Sequence, residues 1–448
     1  MKIIPFTFVA AFLSPQFLIH FVSVNSMSLA TPSSSSSSSR EMSRVAAFQT
    51  SKQIGQTLDP CVVLMKDIIA KHAKKWEDKG DEIYSLAQGV VYWEPPKESM
   101  EFCTQALTTT DQRDTTVNAN PIDGTSSSSM DVHLYGPAAG LPQLVSSLEE
   151  KLRIENNLVD VEVMITAGAN QAYMNCVLTL MDKNSKAVVF APYYFNHVMA
   201  IQMHSGDESV LVGQSVSLKD EYNGIYVPDL LWLEDKLGEE ESSIRMVTLV
   251  NPGNPTGVSI PYSFMEKISN LCHRYGVWLV VDNTYEHFDH VGNNKIGDVP
   301  FACLDKEHVI NIFSFSKSFS LAGFRIGYLT TSRKGPGKRM YEQMIKVSSN
   351  TFKLAYNCNF TNSILKVQDT IPICVSRMSQ LAALGALKAG RAWADKKVAT
   401  LEFGRKRILD SLKPLSNVMG GSGAMYVMGK LPENIDDVVS LAKDKVSI

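Results

Sequence analysis

Two kinds of apolar pattern alternate along most of the chain. Strand-like runs rich in apolar residues occur at 187–190, 245–250, 276–281, 308–313 and 324–329. Between many of them apolar residues recur every three or four positions, at 142–154, 169–181, 229–237 and 262–275, which reads as amphipathic helix. Strands alternating with helices predict an α/β domain around a mainly parallel sheet. Upstream, Asp59 and Pro60 suit the N-cap and first position of a helix whose apolar face runs from Val63 to Trp76. Ile83 to Ala87 then reads as a strand. Residues 111–131 are polar, with Ser126 to Ser129 in a row, and read as an exposed insertion. A largely helical stretch from about 374 to 414 leads into a smaller C-terminal part.

The first forty residues follow a different pattern. Apolar blocks run from Ile3 to Phe12 and from Phe17 to Val24, followed by serines from Ser33 to Ser39, and no acidic residue precedes Glu41. The apolar part reads as a secretory-type signal, and the serine-rich, acid-poor part as a transit peptide. A membrane anchor fits less well, because Pro5, Pro15, Gln16 and His20 interrupt the apolar stretch. Together they suggest import into a plastid bounded by extra membranes. The alternative is a cytoplasmic protein whose translation starts at Met27 or Met42.

Composition narrows the class. The 448 residues are 44% hydrophobic and 20% charged, enough for one large or two moderate globular domains. A net charge of −3 gives no sign of a nucleic-acid partner, and the body after the leader has no membrane segment. Seven scattered cysteines without a CxxC pair argue against a disulfide framework and against a metal site.

Four local signatures follow one another in order. They are Thr166-Ala167-Gly168-Ala169-Asn170-Gln171-Ala172, Asn251-Pro252-Gly253-Asn254-Pro255-Thr256-Gly257, Asp282-Asn283-Thr284-Tyr285-Glu286, and Ser314-Phe315-Ser316-Lys317-Ser318-Phe319 with Arg325 shortly after. All fall at or just beyond the ends of predicted strands, where open α/β sheets place ligands. Their chemistry suits pyridoxal 5'-phosphate. Lys317, among small and apolar residues, suits an imine with the cofactor aldehyde. Asp282 suits the pyridine nitrogen, whose proton makes the ring an electron sink. Asn254 and Tyr285 suit the ring oxygen. Arg325, Ser314 and the backbone amides of Ala169 and Asn170 at a helix start suit the phosphate. Tyr194, in Pro192-Tyr193-Tyr194-Phe195, suits a stack on the pyridine face. Taken singly, each signature has a plainer reading as turn or surface. Their joint order and spacing favour the cofactor site.

On these motifs the chain resembles class I/II, fold-type I aminotransferases dependent on pyridoxal phosphate, from about residue 55 to 432. The resemblance implies a large domain with a mainly parallel central sheet and a smaller α/β domain built from both chain ends. With 1–45 read as a disordered targeting segment, it implies an N-terminal arm and part of the small domain at 46–84, the large domain at 85–385, and the rest of the small domain at 386–448. Lys317 matches the Schiff-base lysine, Asp282 the partner of the pyridine nitrogen, and Asn254 and Tyr285 the ring-oxygen ligands. Arg325, Ser314, Ala169 and Asn170 match the phosphate site. Tyr135 matches the tyrosine that reaches the phosphate of a neighbouring subunit, which implies a homodimer with shared sites. Gly89 matches a glycine that lines the substrate pocket, and Asn254 a residue that also faces substrate.

The segments Gln88 to Pro96, Pro192 to Asn196 and Gln368 to Cys374 are similar to a plant subgroup that uses aromatic amino acids and methionine as donors. The implied reaction passes an amino group from an amino acid to a 2-keto acid in two half-reactions. A C–S lyase on the same fold and a non-catalytic homologue are the alternatives. Three features depart from the family pattern: an extra segment near 335–362, the insertion at 111–131, and the absence of a C-terminal carboxylate-binding arginine, the last arginine being Arg407. The expectation is therefore a gene model that retains introns and ends early, with an incomplete small domain.

Overall fold

The computed structural model describes residues 8–12, 51–60, 89–108, 132–218, 225–338, 365–414 and 418–430. The helix read from Val63 onward, the strand at 83–87, the insertion at 111–131, most of 335–362 and the segment 431–448 lie outside the described residues.

In chain order the strands are β1 (Phe8–Phe12), β2 (Val161–Thr166), β3 (Lys186–Ala191), β4 (Val210–Leu218), β5 (Ile225–Pro228), β6 (Ile244–Val250), β7 (Trp278–Asp282), β8 (Val309–Ser314), β9 (Gly327–Ser332), β10 (Val418–Gly420) and β11 (Tyr426–Lys430). The helices are α1 (Lys52–Gln56), α2 (Lys97–Thr108), α3 (Pro142–Glu155), α4 (Ala169–Leu180), α5 (Phe195–Ser205), α6 (Leu230–Leu237), α7 (Tyr262–Arg274), α8 (Leu365–Thr370), α9 (Arg377–Ala399) and α10 (Glu402–Leu412).

Eight strands form one sheet in the order β2-β9-β8-β7-β6-β3-β4-β5. From β8 through β7, β6 and β3 to β4 all neighbours run parallel. Parallel strands are covered on both faces, so each must be apolar on both. The alternation of side chains shows this directly. Met246, Val280 and Ile310 face α4 and α5, packing with Tyr173, Val177 and Ile201. Val247, Leu279 and Val309 face the other way, against Leu233 of α6 and Ile268 of α7. On that second side, toward β2, a further core joins Val163 and Phe313 to Leu148 of α3 and Leu381 of α9. Local chemistry sets the helix starts. Asp229 caps α6, accepting from the amides of Leu231 and Trp232 at 3.0 and 3.1 Å.

The strand read at 324–329 requires correction. Residues 322–324 form a short 3-10 turn, Arg325 takes a left-handed conformation (φ 52°, ψ 61°), and β9 starts only at Gly327. The ladder explains the delay. β9 runs antiparallel between β2 and β8, and its first pairs are Gly327 with Thr166 and with Ser314. The residues before Gly327 leave the sheet and carry the Arg325 side chain back toward the turn at Ala167.

One consequence positions everything that follows. β2, β3, β6, β7 and β8 end on one edge of the sheet, and β9 begins there. A second sheet, β1-β11-β10, stands apart, so residues 8–12 of the leader read as disordered form a strand parallel to β11. A separate apolar cluster of Trp93, Tyr285, Phe288, Val398, Leu401, Ala424 and Tyr426 links the N-terminal segment, the loop after β7, the end of α9 and β11 beside that edge. No helix of the described residues is long and apolar enough to cross a membrane.

Candidate active site

Lys317 lies in the loop after β8 and is half-buried. Its Nζ donates to the carbonyl of Gly89 at 2.5 Å and stands 6.0 Å from the centroid of the Tyr285 ring. Burial and the nearby Arg325 guanidinium lower the amine to about 8, while Asp282 acts in the opposite sense. A neutral amine is therefore accessible near neutral pH. The loop is fixed from the N-terminal side: Trp93 Nε1 donates to the Ser318 carbonyl at 3.1 Å, and Ser320 Oγ donates to the Trp93 carbonyl at 2.6 Å.

Asp282 is the last residue of β7 and is buried. Its Oδ1 accepts from the Thr284 amide at 3.0 Å, and its Oδ2 lies 3.2 Å from His197 Nε2. Burial alone would raise this carboxyl, but the bonds from His197 and Thr284 outweigh it and bring the group below its ordinary value. His197, on the first turn of α5, is fixed in turn by rings: Tyr173 stacks on it with centroids 3.9 Å apart, and Tyr194 meets it edge-on at 5.1 Å. Tyr194, His197 and Asn254 line one small cavity of about 50 Å³. Tyr194 Oη also accepts from Asn196 Nδ2 at 2.8 Å.

Tyr285 is buried, and its phenol oxygen is 2.5 Å from that of Tyr426. Burial raises it well above the usual phenol range, and the neighbouring Tyr426 adds to this. The next residue anchors the loop. Lys151 of α3 donates to both oxygens of Glu286 at 2.6 Å and to Asn156 Oδ1 at 2.8 Å. Burial would raise the Glu286 carboxyl, but Lys151, His287 and Asn156 bring it down to about 2.

The turn from Thr166 to α4 forms a cradle. Gly168 has φ 83°, which favours glycine, and a Cβ there would overlap the Arg325 guanidinium. A Cβ on Gly327 would overlap the Ala169 amide nitrogen and the Phe313 carbonyl. Arg325 is exposed, with Nη1 donating to the Ala322 carbonyl at 3.0 Å. The amides of Ala169 and Asn170 open α4 beside it, at a helix start with no side-chain cap among the described residues. Ser314 ends β8 and its Oγ accepts from the Ser316 amide at 3.1 Å. Gln368 secures the turn from below. It donates to the Ile165 carbonyl at 3.1 Å and accepts from Asn175 and Gln171, and Gln171 accepts from the Ala167 amide.

Lys317, Asp282, Tyr285, Asn254, Tyr194, Arg325, Ser314, Ala169, Asn170 and Gly89 thus gather at one sheet edge. Tyr135 does not join them in this chain. It is 75% exposed, and its carbonyl accepts from Arg377 at 2.8 Å. Three contributors had no signal in the motifs: His197, Tyr173 and Tyr426. His197 follows Tyr194 by three residues, so helical spacing brings it under the same strand end.

A small-residue turn opening a helix, an adjacent guanidinium, a buried carboxylate at a strand end and a lysine with a lowered pKa fit a phosphate-bearing pyridine aldehyde. The comparisons with known proteins agree. The family described as "Aminotransferase class I and II" matches residues 97–446. The chain is 38% identical over 355 residues to an aromatic aminotransferase of Arabidopsis thaliana, covering 79% of this chain and 76% of that protein. It is 27% identical over 299 residues to an aspartate/prephenate aminotransferase of Thermus thermophilus, covering 66% and 68%. In structure it is similar to an aspartate aminotransferase from Thermus thermophilus with maleate, with a TM-score of 0.63 at 22% identity over 85% of each chain. It also resembles an aromatic aminotransferase from Pyrococcus horikoshii, with a TM-score of 0.59 at 20% identity over 77% of this chain and 79% of that one. The chain belongs to the class I and II aminotransferases. It is an amino-acid aminotransferase of the pyridoxal-phosphate-dependent fold-type I class, related to the plant aromatic aminotransferases.

Proposed function

We propose that Lys317 is the cofactor lysine and that the chain transfers amino groups from aromatic amino acids or methionine to 2-keto acids. The observation that carries this is the pairing at one sheet edge of an amine lowered to about 8 with the buried, ionised Asp282. When bound, the cofactor supplies the substrate amine with a carbonyl carbon and takes up the electron pair left at Cα. Asp282 holds a proton on the pyridine nitrogen, and His197 and Thr284 hold Asp282. Lys317 Nζ, freed by the incoming amine, takes the proton from substrate Cα and returns protons in the reverse half-reaction. Arg325, Ser314 and the amides of Ala169 and Asn170 bind the phosphate. Tyr285 and Asn254 bind the ring oxygen, and Tyr194 stacks on the ring. Gly89 and Asn254 face the substrate.

The donor class rests on the likeness to the Arabidopsis aromatic aminotransferase, the relative with the higher identity. The test is an amino-transfer assay of the whole chain with 2-oxoglutarate as acceptor. Phenylalanine, tyrosine, tryptophan or methionine should exceed aspartate in kcat/KM. A preference for aspartate would overturn the donor assignment.

Two further parts of the reading concern assembly. The left-handed Gly390 (φ 75°) interrupts α9 and supports a division near 385 between a large domain and a small one made from 46–84 and 386–448. The exposed Tyr135 supports a homodimer in which it reaches the partner's phosphate site. Mixed dimers of Lys317→Ala and Tyr135→Phe subunits should contain one intact site, made of one subunit's lysine and the other's tyrosine. Activity above the sum of the two parents is expected, and a simple sum would count against shared sites.

A further inference from the structure

The Tyr285 phenol is asked to do two things with one proton. Under the reading above, which this inference rests on, its O–H donates to the ring oxygen of the cofactor. In the structure the same oxygen is already in a 2.5 Å hydrogen bond with Tyr426, a residue of β11 far along the chain. A phenol has one O–H to give and lone pairs to accept with. If Tyr285 spent its proton on Tyr426, none would remain for the cofactor.

The surroundings of Tyr426 limit what it can be doing. Its hydroxyl lies against Gly89, where any Cβ would overlap it. The carbonyl of that glycine accepts from Lys317. Tyr285 and Tyr426 meet edge-on, with centroids 5.5 Å apart, inside the cluster of Trp93, Phe288 and Ala424. Both phenols are buried. The titratable groups acting on the pair are Tyr194 and Asp282, with Lys317 over the Tyr285 ring. Tyr426 is therefore part of the lysine pocket, and a side chain at residue 89 would press on its hydroxyl.

We propose that Tyr426 is a positioning residue for the ring-oxygen site: its hydroxyl donates to the Tyr285 oxygen and keeps the single Tyr285 proton aimed at the cofactor. An anionic ring oxygen is a stronger acceptor than a phenol, so it takes the Tyr285 proton and Tyr426 turns its own onto Tyr285. A donor that is itself accepting a hydrogen bond is polarised and donates more strongly. The small-domain strand β11 thereby acts on the cofactor through one side chain.

The test uses the full chain as holoenzyme in four forms: wild type, Tyr426→Phe, Tyr285→Phe and the double variant. Phenylalanine keeps the ring and removes only the hydroxyl. The first readout is the pH midpoint at which the visible band of the bound cofactor changes. A ring oxygen that loses a donor is more basic and holds more tightly the proton it shares with the lysine nitrogen, so the midpoint rises. Tyr426→Phe should raise it by about half a unit to one unit. Tyr285→Phe should raise it further, and adding Tyr426→Phe to Tyr285→Phe should change nothing more. The second readout is the Kd of the apoprotein for pyridoxal phosphate, followed by tryptophan fluorescence. It should weaken up to about tenfold in Tyr426→Phe and show the same lack of additivity. An unmoved midpoint and Kd in Tyr426→Phe would overturn the proposal, and so would an effect of equal size in the Tyr285→Phe background. If Tyr285→Phe itself moves neither readout, the assignment of Tyr285 to the ring oxygen fails first and takes the proposal with it. Loss of the visible band in Lys317→Ala stands apart from both and checks the cofactor lysine alone.

Discussion

His197 Nε2 stands 3.2 Å from Asp282 Oδ2, with the Tyr173 ring stacked on the imidazole. The two residues come from the start of α5 and the end of β7, and the parallel order of β3, β6 and β7 brings them together. The imidazole lets a carboxylate remain ionised in a place where burial works against it.

Removing that support should weaken the hold on the pyridine proton without removing it. His197→Phe should lower kcat/KM by about ten- to a hundredfold, the worth of one hydrogen bond to a charged group. Asp282→Ala should cost more. Steady-state kinetics on cofactor-saturated protein give both values. A His197→Phe enzyme with wild-type kcat/KM would contradict the assignment of Asp282.

The Lys317 amine changes its charge within the accessible pH range. Its pKa is lowered to about 8 from 10.5, so the amine is protonated below 8 and neutral above it. Only the neutral amine attacks an aldehyde. The rate at which apoprotein takes up pyridoxal phosphate should therefore rise about tenfold per pH unit below 8 and level off above it. Stopped-flow absorbance across pH 6 to about 10 measures this. A rate still climbing at pH 10 would mean an unperturbed lysine.

The ion pair of Lys151 with Glu286 holds the loop that carries Tyr285. Both side chains are largely buried, at 8% and 5% exposure, so loss of one partner strands the other. Lys151→Met should cost about 3–5 kcal/mol in denaturant unfolding. Adding Glu286→Gln should recover part of the loss. Glu286 is lowered to about 2 from 4.5, so its contribution is present above pH 4.5 and is lost as pH falls toward 2. A Lys151→Met protein destabilised by under about 1 kcal/mol would contradict this account.

Much of this was legible locally. The strands β3, β6 and β8 are rich in apolar residues, and α3, α4 and α7 carry clear apolar stripes. Asp282 ends β7, and Lys317 and the turn at Gly168 follow β8 and β2, so their place at the sheet edge follows from chain order. What was not legible depends on pairing between distant segments. The half-exposed strand β4 is interrupted by Gly213, Gln214 and Ser215, and β5 is only 4 residues long. β9 was misplaced because its start is set by its partners Thr166 and Ser314 rather than by its own apolar residues. His197 looks like an ordinary helical histidine until α5 is laid beside β7. Tyr426 acquires a role only when β11 is brought against Tyr285 and Gly89.

The central claim is that Lys317 carries the cofactor, and chemical trapping tests it most directly. Borohydride reduction of the holoenzyme converts the lysine–cofactor bond into a stable secondary amine, and peptide mass spectrometry locates the added mass. The account predicts the label on the peptide containing Lys317 and on no other. A label on any other lysine, Lys151 included, would contradict it.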